Sequence, residues 1–151
     1  TVTVTGIDPR KAAPTETLYC RESGSTLRFL LPLALLCGKS VVFTGSEKLL
    51  SRPLDVYQQL CHDQGFTFER ENNHLYVKGK LSSGTYQIPG NISSQFITGL
   101  LYALPLLAED SILEVLYGHA GTDGSIELPG VVSRKKQLIP AFVTVLQQWD
   151  K

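Results

Sequence analysis

Pro89-Gly-Asn-Ile-Ser-Ser-Gln-Phe-Ile-Thr-Gly-Leu-Leu-Tyr-Ala-Leu-Pro105 reads as a turn, a polar helix start and an apolar helix, closed by a second proline. The Pro89-Gly90 pair makes the turn. Ser93, Ser94 and Gln95 fall in the first helical turn, whose N–H groups lack intrahelical partners and lie at the positive end of the helix dipole. Such an end attracts anions. The serines bring hydroxyl donors, and Gln95 brings both a donor and an acceptor. Taken alone, the stretch is either a phosphate or carboxylate pocket or a plain cap, because Asn and Ser are preferred capping residues.

Outward from there, strands and helices follow one another. Thr85–Ile88 and Ser111–Leu116 are predicted strands on either side of a Ser93–Leu104 helix. Upstream, Phe66–Arg70 and His74–Lys78 form a hairpin around Asn72-Asn73. Pro53–Cys61 carries Val56, Tyr57 and Leu60 at helical spacing, with proline in the first turn and Gly65 beyond the end. Lys39–Thr44 is a strand, and Gly24–Leu36 a helix with a Leu27, Leu30, Leu31, Ala34, Leu35 stripe. Thr1–Thr5 alternates like an edge strand, and a Pro-rich loop runs from Asp8 to Pro14. This order is α/β, with helices packed on mixed sheets. Its helix starts fall at strand C-terminal ends, where α/β folds bind ligands. Gly84-Thr-Tyr-Gln-Ile-Pro-Gly90 is echoed by Gly124-Ser-Ile-Glu-Leu-Pro-Gly130. A serine follows each copy (Ser93, Ser133), then an apolar-periodic segment, the second over Leu138–Leu146 with Trp149 as its packing anchor. The echo is either one unit used twice or coincidence.

The 151 residues suffice for a single domain, 1–151, with a real core; 42% are hydrophobic and 19% charged. Fourteen basic and 14 acidic residues leave no net charge, which excludes a general nucleic-acid or membrane surface. An anion site must therefore be built locally, and a small ligand is expected. Cys20, Cys37 and Cys61 form no C-x-x-C pair, so ordinary apolar packing and a reducing cytoplasm are expected. His62, His74 and His119 have no ligand-spaced partners, and no metal is expected. The longest apolar stretch, Phe29–Cys37, is too short to span a bilayer and contains Pro32, and no signal peptide is read at the start. A start in a strand without methionine reads as a fragment or processed chain. Gly118–Gly124 lacks the Gly-Lys-Ser/Thr ending of a phosphate loop and is expected to be a turn. Asp55 and Asp63 share a helix face and are expected to be solvated.

Three helix starts share one polar character. Glu22-Ser-Gly-Ser-Thr-Leu-Arg28 has Gly24 for close approach and Arg28 one turn in; Ser51-Arg-Pro53 holds an arginine at a helix start; Ser93-Ser94-Gln95 is the third. Arginine suits bidentate binding of carboxylate or phosphate. Together they suggest a shared anion trap. In order and spacing, Ser23-Gly-Ser-Thr-Leu-Arg28, Arg52-Pro53 and Ser93-Ser-Gln-Phe96 resemble the motifs of the 5-enolpyruvylshikimate-3-phosphate synthase family, over residues 1 to about 115.

The resemblance implies a domain of repeated β-α-β-α-β-β units and a transferase of the shikimate pathway to aromatic amino acids. That enzyme moves the enolpyruvyl group of phosphoenolpyruvate to the 5-hydroxyl of shikimate 3-phosphate and releases phosphate. It implies that Ser93 and Ser94 hold the phosphate of shikimate 3-phosphate, and that Gln95 touches shikimate and the phosphoenolpyruvate region. By the same likeness, Arg52 binds the carboxylate or phosphate of phosphoenolpyruvate, and the herbicide glyphosate. Gly24, with Ser25 beside it, lies where a side chain would crowd glyphosate, and Arg28 lies near the same anions, ranked below Arg52. No catalytic residue and no organic or metal cofactor is implied for this chain.

The family's opening segment and its second domain, with the groups that handle protons, are expected to lie outside this sequence. The chain is thus a partial N-terminal domain, inactive or weak in isolation. Residues 116–151 depart from the family pattern as a divergent or rearranged tail. Ser133-Arg134 is one alignment of the family's Ser-Lys/Arg stretch, and the repeat at Ile126–Gly130 is the other. The alternative reading is a non-catalytic anion-binding module, or a half that complements a missing domain. A sister enzyme acting on a UDP-sugar is disfavoured, since Cys20 and Cys37 sit in no matching motif.

Overall fold

The computed structural model describes residues 1–3, 5–11, 17–116 and, as backbone, 130–131. In chain order the elements are β1 (Leu18–Tyr19), α1 (Gly24–Ala34), β2 (Ser40–Thr44), α2 (Glu47–Leu50), α3 (Asp55–Asp63), β3 (Thr67–Glu71) and β4 (His74–Lys78). There follow β5 (Thr85–Pro89), α4 (Ser94–Ala103), a 3-10 turn (Leu104–Leu106), β6 (Ile112–Leu116) and β7 (Gly130–Val131). One sheet has the order β1-β2-β4-β3, the other β5-β6-β7. β1 and β2 are parallel, as are β5 and β6, while the remaining pairs are antiparallel. The expected mixed-sheet α/β fold is what forms.

Alternation builds the core. Val41 and Phe43 of β2 stand opposite Val77 and Leu75 of β4, and all four are buried. Tyr86 and Ile88 of β5 stand opposite Leu113 and Val115 of β6, again all buried. Between these rows α1 contributes Leu27 and Leu31, and α4 contributes Phe96, Ile97 and Leu100, to one continuous cluster. Asn72 and Asn73 both take positive φ, the conformation a two-residue hairpin turn requires.

Each parallel pair needs a crossover helix, and that requirement sets the site. β1 leads into α1 and β2 into α2, so both helix starts emerge from the same sheet edge. Backbone bonds lock that edge, Cys20 N–H donating to Thr44 O at 2.8 Å and Ser46 N–H to Arg21 O at 2.8 Å. The hairpin turn supports it, since the Asn73 side-chain amide donates to Gly45 O at 2.8 Å. Arg52 follows directly on α2, beside the start of α1.

Several expectations are corrected. Thr1–Thr3 and Thr5 are exposed and lie in no strand; alternation alone cannot make one without a neighbouring strand to pair with. Pro53 precedes α3 rather than opening it, because Leu54 takes φ −126 and ψ 21 and the helix begins at Asp55. Helix α1 ends at Ala34 rather than Leu36, and Gly38 reverses the chain with φ +70. The Gly118–Gly124 turn, Ser133, the Leu138–Leu146 segment, Trp149 and the arrangement of the tail lie outside the described residues.

Candidate functional site

The Ser23 hydroxyl caps α1, accepting from Thr26 N–H at 3.2 Å, with the Ser25 hydroxyl 3.2 Å away. Ser93 caps α4 in the same way, accepting from Gln95 N–H at 3.3 Å. The Ser23 oxygen also accepts from the Thr26 hydroxyl at 2.8 Å, so its own hydrogen goes to Ser25, whereas Ser93 satisfies one N–H and keeps its hydroxyl hydrogen to donate. The two helix starts adjoin. A Cβ placed on Gly24, the first residue of α1, would lie 3.8 Å from Gln95 Oε1, in the first turn of α4. It would also lie 3.1 Å from Arg28 Nη1 and 3.1 Å from Arg52 Nη1. Both guanidinium nitrogens are thus within twice that distance of each other, above a residue that contributes no side chain.

Arg28 is anchored at both terminal nitrogens. Nη1 donates to Gln95 Oε1 at 2.7 Å, Nη2 donates to Pro53 O at 3.2 Å, and Cζ sits 4.9 Å from the centre of the Phe96 ring. Pro53 O is free to accept because Pro53 stays outside α3. Burial pushes the Arg28 guanidinium below its ordinary range, and the Arg52 charge pushes it the same way, against a weaker pull from Tyr57. Neither arginine has a carboxylate partner among the described residues. The Arg52 guanidinium, the Ser94 hydroxyl and the Gln95 amide nitrogen make no hydrogen bond there either. The result is a set of unspent donors with a positive field and no ion-paired carboxylate among the described residues.

A residue that periodicity reads as apolar braces this set. Pro32 inside α1 has no N–H, so the Arg28 carbonyl one turn earlier loses its helical donor. Tyr57 Oη of α3 supplies it at 2.8 Å and lies 3.1 Å from Phe96 O of α4, sharing one hydrogen between two helices. Burial holds that phenol well above its ordinary value, so it remains a donor. Gly99 completes the junction: an added Cβ would overlap both Tyr57 Oη and the Arg28 carbonyl. The signal for Tyr57 was in the sequence, as a proline interior to a helix that must leave a carbonyl in need of a donor.

Of the residues singled out by sequence, Gly24, Arg28, Arg52 and Gln95 converge, with Ser25, Ser93 and Ser94 on the same two helix starts. The cysteines are unpaired thiols, Cys20 and Cys61 buried. No group of metal-ligating side chains forms among the described residues, and no described helix is long and apolar enough to cross a membrane. Asp55 and Asp63 are exposed, as expected.

Residues 1–117 match the family described as EPSP synthase (3-phosphoshikimate 1-carboxyvinyltransferase). A 3-phosphoshikimate 1-carboxyvinyltransferase of Clostridium novyi is 54% identical over 98 residues, covering 64% of this chain and 22% of the relative. One from Brachyspira hyodysenteriae is 39% identical over 128 residues, covering 84% of this chain and 29% of the relative. The chain therefore spans about a quarter of the length of such relatives. The solved EPSP synthase of Acinetobacter baumannii shares the fold at a TM-score of 0.55 and 21% identity, over 68% of this chain and 24% of that one. With the match running through every element that builds the paired helix starts, this chain belongs to the EPSP synthase family.

Proposed function

We propose that this chain is part of the N-terminal domain of an EPSP synthase and forms the face that holds its anionic substrates. The observation that carries this is the meeting of two guanidiniums without carboxylates over Gly24, where α1 and α4 bring their positive ends together. Each helix start is equivalent to roughly half a positive charge. Like charges assembled without a counter-charge are costly, and a bound anion offsets that cost.

In this reading Ser93 and Ser94 donate to the phosphate of shikimate 3-phosphate, and Gln95 lies between shikimate and phosphoenolpyruvate. Arg52, with both faces of its guanidinium unspent, takes the carboxylate or phosphate of phosphoenolpyruvate. Glyphosate takes the same place. Gly24 and Ser25 keep the floor open, and Arg28 adds charge from behind. Enolpyruvyl transfer needs a proton moved to the enol methylene and phosphate expelled through a tetrahedral intermediate, so an acid and a base must reach the reacting atoms. The site described here supplies donors and no such pair. The chain by itself binds weakly and turns over negligibly, residues 1–151 acting as one partial domain in the cytoplasm.

Titrating the chain with shikimate 3-phosphate while following amide NMR shifts tests the proposal. Movement confined to Gly24–Arg28, Arg52 and Ser93–Gln95 is expected; silence at all of these positions would overturn it.

A second reading has its own support. Ile7, Leu18, Leu30, Leu33, Tyr102 and Leu106 line an open apolar hollow of about 490 Å³. Such a face suits a half that works only when joined to further chain of the family. Mixing with the remainder of a relative would then restore turnover that neither piece shows.

A further inference from the structure

Resting on that anion-site reading, we propose that Arg28 is a positioning residue that turns the Gln95 amide into a dedicated donor for the bound anion. A free glutamine amide is ambidextrous, since rotation about its last torsion exchanges the carbonyl oxygen for the NH2 group. Arginine nitrogens can only donate, so the Gln95 atom 2.7 Å from Arg28 Nη1 must be the oxygen. With Oε1 engaged by a cation, the NH2 is left facing away from Arg28 with no partner among the described residues. An oxygen there would repel a phosphate or carboxylate; two N–H groups attract it.

The device holds because Arg28 cannot easily move. Its second nitrogen is tied to Pro53 O, its Cζ lies over the Phe96 ring, and its own carbonyl is held by Tyr57. Its Nε is buried without a hydrogen-bond partner among the described residues. Arg28 thus spends two hydrogen bonds on orientation while Arg52 stays free to meet the ligand.

The test has a ligand-free arm and a ligand arm, both on the full chain. In the absence of ligand, NMR order parameters of the Gln95 side-chain NH2 should be high, and Arg28→Met, which keeps reach but cannot donate, should make that group mobile. Adding inorganic phosphate should shift the Gln95 NH2 signals in the unaltered chain. In Arg28→Met the phosphate affinity should fall about tenfold, as for loss of an oriented charged hydrogen bond. Arg28→Lys, which keeps a cationic donor, should restore part of the order; it also serves if the Met variant fails to fold. A Gln95 amide equally mobile with and without Arg28 would overturn the positioning role alone. An ordered amide that phosphate never moves, with the backbone at Ser93–Gln95 also unmoved, would overturn the anion site and the donor role with it.

Discussion

The units β1-α1-β2 and β5-α4-β6 have the same plan: a parallel strand pair, a crossover helix and a serine cap at the helix start. Their helices differ in kind. α1 carries a cation and an interior proline, so it brings Arg28 and a carbonyl that lacks its helical donor. α4 carries no charged residue and an interior glycine, so it brings hydroxyls, an amide and a surface slim enough to lie against α1. One unit supplies charge and the other supplies donors and room. The site belongs to the junction, and changes there should matter more than changes within either unit.

The largest effect is expected from Gly99→Ala. The new methyl would overlap Tyr57 Oη and the Arg28 carbonyl, which are bonded to each other and, through the phenol, to Phe96 O, so the helices must part. Overpacking of this kind costs about 3 kcal/mol in denaturant unfolding. A loss below about 1 kcal/mol would mean that the two units separate freely and that the junction is not the constraint.

Next comes Arg52→Ala, which removes charge from the site and no bond from the fold. Binding of phosphoenolpyruvate should weaken by about 30-fold while stability changes by less than about 0.5 kcal/mol. If calorimetric titration finds affinity intact, the arginine between α2 and α3 is not the charge that meets the ligand.

Tyr57→Phe separates bracing from binding. It keeps the edge-on contact with Phe96, centroids 4.9 Å apart, and removes only the hydroxyl. The half-buried Arg28 carbonyl then loses that donor, at a cost of about 1.5 kcal/mol. An unchanged melting temperature would show that the proline-broken carbonyl needs no partner.

Local chemistry made much of this legible beforehand. Strand alternation at Val41–Phe43 and Leu75–Val77, the Asn72-Asn73 turn, and the serine caps are each decided within a few residues, so sequence displays them. Gly24, Arg52 and Ser93–Gln95 stand out as candidates because helix starts with unspent donors have a recognisable composition. The missed features depend on distance in space. Tyr57 looks like one more apolar position on a stripe until Pro32 creates a vacancy in another helix. Gly99 is an ordinary interior glycine until α1 lies against it. α2 is one turn long and β1 two residues, both too short to carry a period. Thr1–Thr5 had the pattern of a strand and, in its described residues, no strand beside it.

The smallest effect contrasts the two units by titration. Burial pushes the Cys61 thiol up to about 12 from an ordinary 9.0, and raises Cys20 as well. Cys61 lies on α3 and Cys20 just ahead of α1, whereas β5-α4-β6 contains no cysteine. A raised thiol is neutral in the fold and ionises more readily once unfolded. Its stabilisation is therefore complete below pH 9 and lost as pH climbs toward 12. Tyr57 and Tyr86 are raised by burial too, but from an ordinary value of 10.0, so they act higher. The window from pH 9 to 10 thus reports chiefly the thiols around the first unit. There the unfolding free energy should fall by about 1 kcal/mol for Cys61, by linkage. Cys61→Ala should flatten that slope whatever it does to the absolute stability. Hydrogen exchange should speed first in α1, α3 and their sheet if that unit opens independently. Uniform acceleration across α4 as well would show that the shared junction makes the two units unfold as one.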